Sequence, residues 1–99
     1  RRTGDFALAM VLSVIWLDED GRIDDALLGV GGVQSYPLRM HEAEAKLKGA
    51  LPTTQVFHEA AELVGSNLNP MEDIHGDAEF RRDLARTLTV RSLERALNR

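Results

Sequence analysis

The stretch from Phe6 to Leu17, with the sequence FALAMVLSVIWL, decides the fold because its twelve residues carry no charge. It ends at the turn Asp18-Glu19-Asp20-Gly21, and a second apolar stretch follows from Ile23 to Val33. A helix that crosses a bilayer needs about 20 apolar residues, so this stretch is too short to span a membrane. It predicts instead a two-stranded hairpin that is apolar on both faces. The remaining chain can cover only one face, so we predict that the other contacts something larger.

The two faces of the predicted first strand differ in side-chain size. The bulky face carries Phe6, Leu8, Met10, Leu12, Val14 and Trp16. The opposite face carries Ala7, Ala9, Val11, Ser13, Ile15 and Leu17. The second strand is predicted to place Ile23, Asp25, Leu27, Gly29, Gly31 and Val33 on one side, and Ala26, Leu28, Val30 and Gly32 on the other. A third strand around Ser35 to Leu38 is weakly indicated.

Composition excludes several classes of function. The 99 residues correspond to one domain, and the 43% hydrophobic and 28% charged residues are typical of a globular protein. A net charge of -4 and only 5% aromatic residues argue against nucleic-acid binding. The absence of cysteine excludes disulfides, thiolate nucleophiles, iron–sulfur ligation and cysteine-type zinc sites within this chain. It also fits a cytoplasmic location.

Two helices are predicted after the sheet region. In the first, the apolar face consists of Met40, Ala43 and Leu47, with Gly49 as the C-terminal stop. The second is predicted to have Pro52 in its first turn and either Thr53 or Thr54 as its N-cap. Its apolar stripe consists of Val56, Ala60, Leu63 and Val64, with Phe57 and Ala61 beside them.

A long last helix is predicted from Ala78 to about Leu97, after a loop from Gly65 to Gly76 and a cap at Asp77. Its first apolar arc consists of Phe80, Leu84 and Leu88, whereas the later apolar residues are Val90, Leu93 and Leu97. At about 100° per residue the two sets point in roughly opposite directions. Either the helix bends near residues 87–89, or its two halves pack against different neighbours. We favour the second interpretation.

No local motif identifies a catalytic, cofactor-binding or metal-binding residue. The glycines at 29, 31 and 32 lack the third glycine of the dinucleotide fingerprint, because position 34 is Gln. The acidic residues Asp18, Asp20, Asp24 and Asp25 lack the bidentate Glu of an EF-hand, whose position falls on Leu27. The histidines His41, His58 and His75 fall on different elements, so no metal site is predicted.

The other polar residues are interpreted as surface positions. Solvated helix faces are assigned to Glu42, Glu44, Glu59 and Glu62, and no nucleophile motif surrounds Ser13, Ser35, Ser66 or Ser92. The last helix is basic, with Arg81, Arg82, Arg86, Arg91, Arg95 and Arg99. The last three of these suit the helix C-terminus. Arg81 and Arg82 lie in the first turn, where the helix dipole disfavours cations. We therefore expect one of them to have a partner, which is Glu79, Asp73 or a group outside the chain.

Five short motifs resemble, in their order, a known domain. They are Asp5-Phe6-Ala7-Leu8, Gly31-Gly32-Val33, Pro37-Leu38-Arg39, Ala43-Glu44 with Leu47 and Gly49, and Gly76-Asp77-Ala78-Glu79-Phe80-Arg81-Arg82-Asp83-Leu84-Ala85. Together they resemble the C-terminal domain of the FAD-binding (medium) subunit of carbon monoxide dehydrogenase, which also occurs in xanthine dehydrogenase and related molybdopterin hydroxylases. The resemblance implies an α+β sandwich. In it, an antiparallel sheet of three to four strands is followed by three helices packed on one face.

The resemblance also implies a role in electron transfer. In such enzymes, substrate is oxidised at a molybdopterin cofactor on a large subunit. Electrons then pass through two [2Fe–2S] clusters on a small subunit to FAD on the medium subunit, and an acceptor takes them up. The FAD loops lie in domains that precede this one, so this fragment is expected to hold no cofactor and to be inactive by itself. The start of the module runs near the flavin in relatives, which would place Arg1, Arg2 and Asp5 at its edge.

We interpret residues 1–99 as a single domain and a fragment of a longer chain, because the sequence opens Arg1-Arg2-Thr3. Within it, residues 4–39 form the sheet region and residues 40–99 the three-helix region. The predicted partners are the upstream FAD-binding domain and the large and small subunits. They are expected to contact the uncovered sheet face and the second half of the last helix. The alternative is a free-standing interaction or dimerisation module with the same fold, and the isolated fragment is expected to form homodimers through the hairpin face.

Overall fold

The structure is a computed structural model that describes residues 10–32, 37–68 and 78–97. Within these ranges, three strands precede three helices. The elements are β1 (Met10–Leu17), β2 (Ile23–Gly31), β3 (Leu38–Arg39), α1 (His41–Leu47), α2 (Thr54–Asn67) and α3 (Ala78–Leu97). The strands form one antiparallel sheet in the order β1-β2-β3. This confirms the predicted α+β fold.

Several sequence-based predictions fall outside the described residues. They concern the first residues of the hairpin through Ala9, the segment 33–36 with Ser35, the loop residues 69–76 with His75, the Asp77 cap and Arg99.

The hairpin turn forms at the predicted acidic tetrapeptide. The backbone N–H of Asp18 donates to the carbonyl of Arg22 at 2.8 Å, which closes the loop. The Asp18 carboxylate accepts from the backbone N–H groups of Asp20 at 2.8 Å and Arg22 at 3.0 Å. Gly21 has a φ of 81°, a conformation that a residue with a Cβ adopts only at a cost. The sequence therefore specifies this turn locally.

The β1–β2 register contains a bulge that the sequence pattern did not reveal. Trp16 pairs with Asp25, but the next pair joins Leu17 to Ile23, so Asp24 is an extra residue on β2. An extra residue reverses the alternation of faces along a strand. Ile23 is therefore buried, and the prediction that it shares a face with Asp25 was wrong.

The helices pack on one face of the sheet. The first helix contacts β2, the last contacts β1, and α2 lies between α1 and α3. The core between these layers consists of Ile23, Ala26, Leu28, Val30, Met40, Ala43, Leu47, Val56, Phe57, Ala60, Val64, Leu68, Ala85 and Leu93. This set contains the predicted face of α1 and most of the predicted stripe of α2. Leu63 packs against the core and is half-buried.

The ends of α1 and α2 distinguish between the predicted caps. Thr53 is the N-cap of α2, because its hydroxyl accepts from the backbone N–H of Val56 at 3.2 Å. Pro52 precedes the helix, so its predicted place in the first turn was wrong. Gly49 follows α1 with a φ of 85°, as predicted for the C-terminal stop. The predicted loop start at Gly65 was wrong, because α2 continues to Asn67.

Gly65 is buried inside α2 where the helix meets α3. A Cβ at this position would collide with the guanidinium of Arg86. The glycine therefore permits a close approach of the two helices. The sequence alone indicates a helix end at Gly65, because Arg86, which requires the glycine, is distant in sequence.

The buried stripe of α3 differs from the predicted apolar arc. It runs through Arg81, Ala85, Thr89 and Leu93 at four-residue spacing, whereas Phe80 is 50% exposed. The hydroxyl of Thr89 donates to the carbonyl of Ala85 at 2.7 Å. This hydrogen bond allows a polar side chain, which an apolar pattern would not assign to the core, to be buried.

The two halves of α3 contact different elements, as favoured from the sequence. In the first half, the guanidinium of Arg86 lies 3.4 Å from the Glu62 carboxylate of α2. In the second half, the hydroxyl of Ser92 lies 2.6 Å from that of Ser13 in β1. The first half of α3 therefore contacts α2 and the second half contacts β1, while one buried stripe runs through both halves.

Candidate interaction surfaces

One face of the β1–β2 hairpin is apolar and open. We name it the outer sheet face. Its members and exposed fractions are Met10 62%, Leu12 73%, Val14 40%, Trp16 45% and Leu27 36%. Gly31 and Gly29 stand opposite Met10 and Leu12 and offer no cross-strand side chain to cover them. All helices of the described residues pack on the other face. An exposed apolar cluster of this kind marks an interaction site more often than a solvated surface.

A second surface lies where β1 runs beside the end of α3. We name it the edge groove. Its volume is about 610 Å³, and its lining consists of residues 10–15, Leu88, Arg91, Ser92, Arg95 and Ala96. The Ser13–Ser92 hydrogen bond ties its two walls together. Strand β1 therefore has one edge paired with β2 and the other facing this groove.

The edge groove is basic, although the chain as a whole is acidic. Arg91 and Arg95 are exposed and make no ion pair with the described residues. In contrast, Arg86 lies 2.6 Å from Asp83, and Arg82 lies 3.3 Å from Glu79. The Arg82–Glu79 pair is one of the partnerships expected from the sequence.

Glu44 occupies a buried position that its sequence context concealed. It is only 8% exposed, so its interpretation as part of a solvated helix face was wrong. Its carboxylate accepts from the backbone N–H of Leu28 at 2.8 Å and from two nitrogens of Arg39 at 2.7 and 2.8 Å. The hydrogen bonds from Arg39 are the main reason why the pKa of Glu44 lies below its ordinary value. Its spacing of four residues from Met40 and three from Leu47 was the available signal.

The Glu44 network is structural. It joins β2, β3 and α1 through one carboxylate, and the two oxygens already accept three hydrogen bonds. Met40 reinforces this junction, because its backbone N–H donates to the carbonyl of Leu28 at 2.8 Å. Two of the five motifs that carry the family resemblance, those containing Arg39 and Glu44, thus contact each other where β3 meets α1.

The glycines of β2 do not fit the diphosphate of a flavin dinucleotide. Such a cradle needs backbone N–H groups of a glycine loop that opens a helix. Gly29 and Gly31 instead lie within β2, where a Cβ would be 3.7 Å from the Leu38 carbonyl oxygen and 3.9 Å from Pro37, respectively. They pack beside the neighbouring chain segment.

The remaining candidate sites are dispersed. Within residues 10–32, 37–68 and 78–97, no three His, Asp or Glu side chains are grouped in a way that would hold a metal ion. In the same ranges, no helix combines the length and apolarity needed to cross a bilayer. Of the serines considered from the sequence, Ser13 and Ser92 are brought together by the fold, and their hydroxyls form a hydrogen bond with each other.

Comparison with known proteins gives the family. Residues 1–96 match the model of the CO dehydrogenase flavoprotein C-terminal domain. The chain belongs to this family. It is 34% identical over 99 residues to the 6-hydroxypseudooxynicotine dehydrogenase complex subunit alpha of Paenarthrobacter nicotinovorans, covering 100% of this chain and 33% of that protein. It is 30% identical over 96 residues to the carbon monoxide dehydrogenase medium chain of Afipia carboxidovorans. This match covers 97% of this chain and 33% of that protein.

Solved structures agree with this assignment. Quinoline 2-oxidoreductase from Pseudomonas putida 86 matches with a TM-score of 0.90 and 32% identity, over 99% of this chain and 34% of that one. Reconstituted CO dehydrogenase from Oligotropha carboxidovorans matches with a TM-score of 0.90 and 30% identity, over 100% of this chain and 34% of that one. The family and fold predicted from the five motifs are confirmed. The chain spans about a third of the length of these relatives.

Proposed function

We propose that this chain is the C-terminal structural and docking domain of the FAD-binding subunit of a molybdenum-containing oxidoreductase of the carbon monoxide and xanthine dehydrogenase type. The domain holds no cofactor and no catalytic residue. It supports the transfer of electrons from [2Fe–2S] clusters on one partner subunit through FAD to an acceptor. The molybdopterin lies on another partner subunit, and the whole enzyme is cytoplasmic. The observation that carries the docking role is the outer sheet face.

The occupant of the outer sheet face, in this proposal, is the preceding part of the same polypeptide. The matched family is a C-terminal domain, and the match covers only a third of the relatives. A neighbour joined by a covalent link has a high effective concentration, so a modest apolar contact is sufficient to hold it. Strand β1 carries no charge, which suits a contact that stays buried within one chain.

The apolar gain from covering the outer sheet face can be compared with the cost of ordering its side chains. Full burial of a leucine side chain contributes about 1.5–3 kcal/mol. Leu12 is 73% exposed, so its docking would contribute roughly 1–2 kcal/mol. The four other members add to this, so the total gain is comparable with the side-chain ordering cost of about 0.5–1.5 kcal/mol per residue, and the covalent link between the domains favours docking further.

The test is a Leu12→Asp substitution in the full-length subunit, with Leu51→Asp as the matched control. Leu51 is also an exposed leucine, at 48%, but it lies between α1 and α2 and is not a member of the outer sheet face. Leu12→Asp is expected to lower the FAD content of the purified subunit and to expose its interdomain linker to limited proteolysis. Leu51→Asp is expected to change neither. Equal behaviour of the two variants would contradict docking through this face.

A further inference from the structure

Among residues 10–32, 37–68 and 78–97, strand β1 has one edge without a paired neighbour. In the part of the chain that the structure describes, it pairs with β2 on one side, and no backbone group hydrogen-bonds to its other edge. Its eight residues, MVLSVIWL, include neither proline nor a charged residue. Natural edge strands usually carry lysine, proline or a bulge that prevents pairing with another chain. The bulge in the β1–β2 register lies at the far end of β1, opposite Trp16 and Leu17, so residues 10–15 are regularly paired.

The edge groove follows this regular segment. Its opposite wall is α3, from Leu88 to Ala96, both of which are half-buried. An added strand would lie about 4.8 Å from β1 and would satisfy the free N–H and C=O groups of residues 10–15. The apolar side chains Leu88 and Ala96 would contact the face of that strand which points toward the helix.

The charge of the groove specifies the chemistry of the strand. Arg91 and Arg95 are one helical turn apart, which corresponds to about 6 Å along the helix. Two residues of an extended strand span about 6.6 Å. Carboxylates at alternate positions of an added strand therefore match the spacing of the two guanidinium groups, which bind carboxylates in a bidentate manner.

We propose that the edge groove binds an extended acidic segment of a partner subunit, which adds to β1 as a fourth strand and pairs its alternate carboxylates with Arg91 and Arg95. The inference rests on the proposed function only in assuming a multi-subunit enzyme, and one relative is itself described as a complex subunit. A separate chain fits the groove better than the preceding domain does, because exposed charges steer association between separate molecules. The uncharged outer sheet face has the opposite character.

Hydrogen exchange tests the added strand directly. The full-length subunit is compared, alone and in its purified complex, by mass spectrometry of the peptide that contains residues 10–15. The proposal requires that one edge of β1 be open in the subunit alone, so about half of these amides are expected to exchange freely there and to become protected in the complex. Unchanged exchange would overturn the proposal. Full protection in the subunit alone would also overturn it, because the parent chain itself would then cover the edge.

Charge reversal tests the arginines. Arg95→Glu is introduced into the full-length subunit, with Lys48→Glu as the control, since both residues are exposed and both substitutions change the charge by the same amount. Arg95→Glu is expected to lower the affinity of the subunit for its partner subunits by about tenfold or more. The dependence of that affinity on salt concentration is expected to fall as well. Lys48→Glu is expected to stay within about twofold. The proposal is overturned if the two variants weaken assembly equally. It is also overturned if Arg95→Glu weakens assembly but the complex that still forms protects residues 10–15 as fully as the wild-type complex does.

The two proposals fail separately. Leu12→Asp reports on the FAD content and protease resistance of the subunit alone, whereas Arg95→Glu reports on assembly of the complex. If the outer sheet face is not a docking site, Leu12→Asp leaves the subunit unchanged while Arg95→Glu still weakens assembly. If the edge groove is not a docking site, the reverse holds.

Discussion

Replacing Glu44 by alanine is expected to destabilise this domain more than any other single carboxylate deletion among its described residues. Glu44 is 8% exposed, and its carboxylate accepts from the backbone N–H of Leu28 as well as from Arg39. Alanine removes the acceptor but leaves the Leu28 N–H in the core, where water does not reach it. The substitution therefore creates a buried, unsatisfied donor.

The magnitude follows from the two halves of the network. An unsatisfied buried donor costs about 1–3 kcal/mol. The Arg39 side chain is 52% exposed, so solvent screens its ion pair with Glu44 and the pair adds little to the stability of the fold. The loss in the free energy of unfolding for Glu44→Ala is therefore expected to be about 1–3 kcal/mol, mainly from the unsatisfied Leu28 donor. Glu44→Gln keeps an acceptor for Leu28, so its loss is expected to be about 1 kcal/mol.

The network also predicts a pH dependence. The hydrogen bonds from Arg39, with the Leu28 N–H, hold the pKa of Glu44 below its ordinary value of 4.5. A carboxylate whose pKa is lower in the folded state stabilises the fold above its unfolded-state pKa. This contribution is therefore fully present above about pH 4.5 and is lost as the pH falls through the lower, folded-state pKa. Glu44→Gln removes this part of the acid sensitivity.

The assay is urea denaturation of the 99-residue chain, followed by circular dichroism at neutral and acidic pH. The control is Glu42→Ala, on the same helix, whose carboxylate is exposed and accepts one hydrogen bond from Asn67 at 2.6 Å. The control is expected to lose about 0.5 kcal/mol or less. The reasoning is refuted if Glu44→Ala and Glu42→Ala lose the same amount, or if the acid transitions of wild type and Glu44→Gln coincide.

Two further substitutions probe the helices. Gly65→Ala should be nearly neutral in the wild type, because the gain of about 0.5–1 kcal/mol in helix propensity is offset by displacement of the Arg86 guanidinium from its carboxylate partners. In an Arg86→Ala background the same change should stabilise by that gain, and a double-mutant cycle of unfolding free energies without coupling would contradict the close approach. Thr53→Ala should lose about 1 kcal/mol in thermal unfolding because the cap to the Val56 N–H is removed, whereas an equal loss in Thr54→Ala would show that the cap is misassigned.

The features predicted correctly from the sequence are those set by neighbours close along the chain. The turn at Asp18–Gly21 depends on its own backbone and on the Asp18 side chain. The buried face of α1 follows from a spacing of three and four residues, and Gly49 from the need for a positive φ. The family followed from the order of five motifs, although the contact between two of them, through Arg39 and Glu44, was not foreseen.

Apart from the placement of Pro52, the wrong predictions depend on residues that are distant in sequence. Ile23 changes face because of a bulge, and the sequence contains no local marker for that bulge. Gly65 has the composition of a loop residue but serves the approach of α2 to α3. Glu44 is polar, and it is buried because the Leu28 N–H and the Arg39 side chain donate hydrogen bonds to it in the folded chain.

The sequence by itself determined that this chain contains more apolar strand surface than three short helices can cover. It also determined the family, the acidic turn and the basic last helix. Only the tertiary structure decided which face of the hairpin stays open and that α3 leaves a groove beside the free edge of β1. The physical reason is that side-chain periodicity assigns residues to faces, whereas strand register and helix placement, which depend on contacts between distant residues, decide which faces and edges are covered.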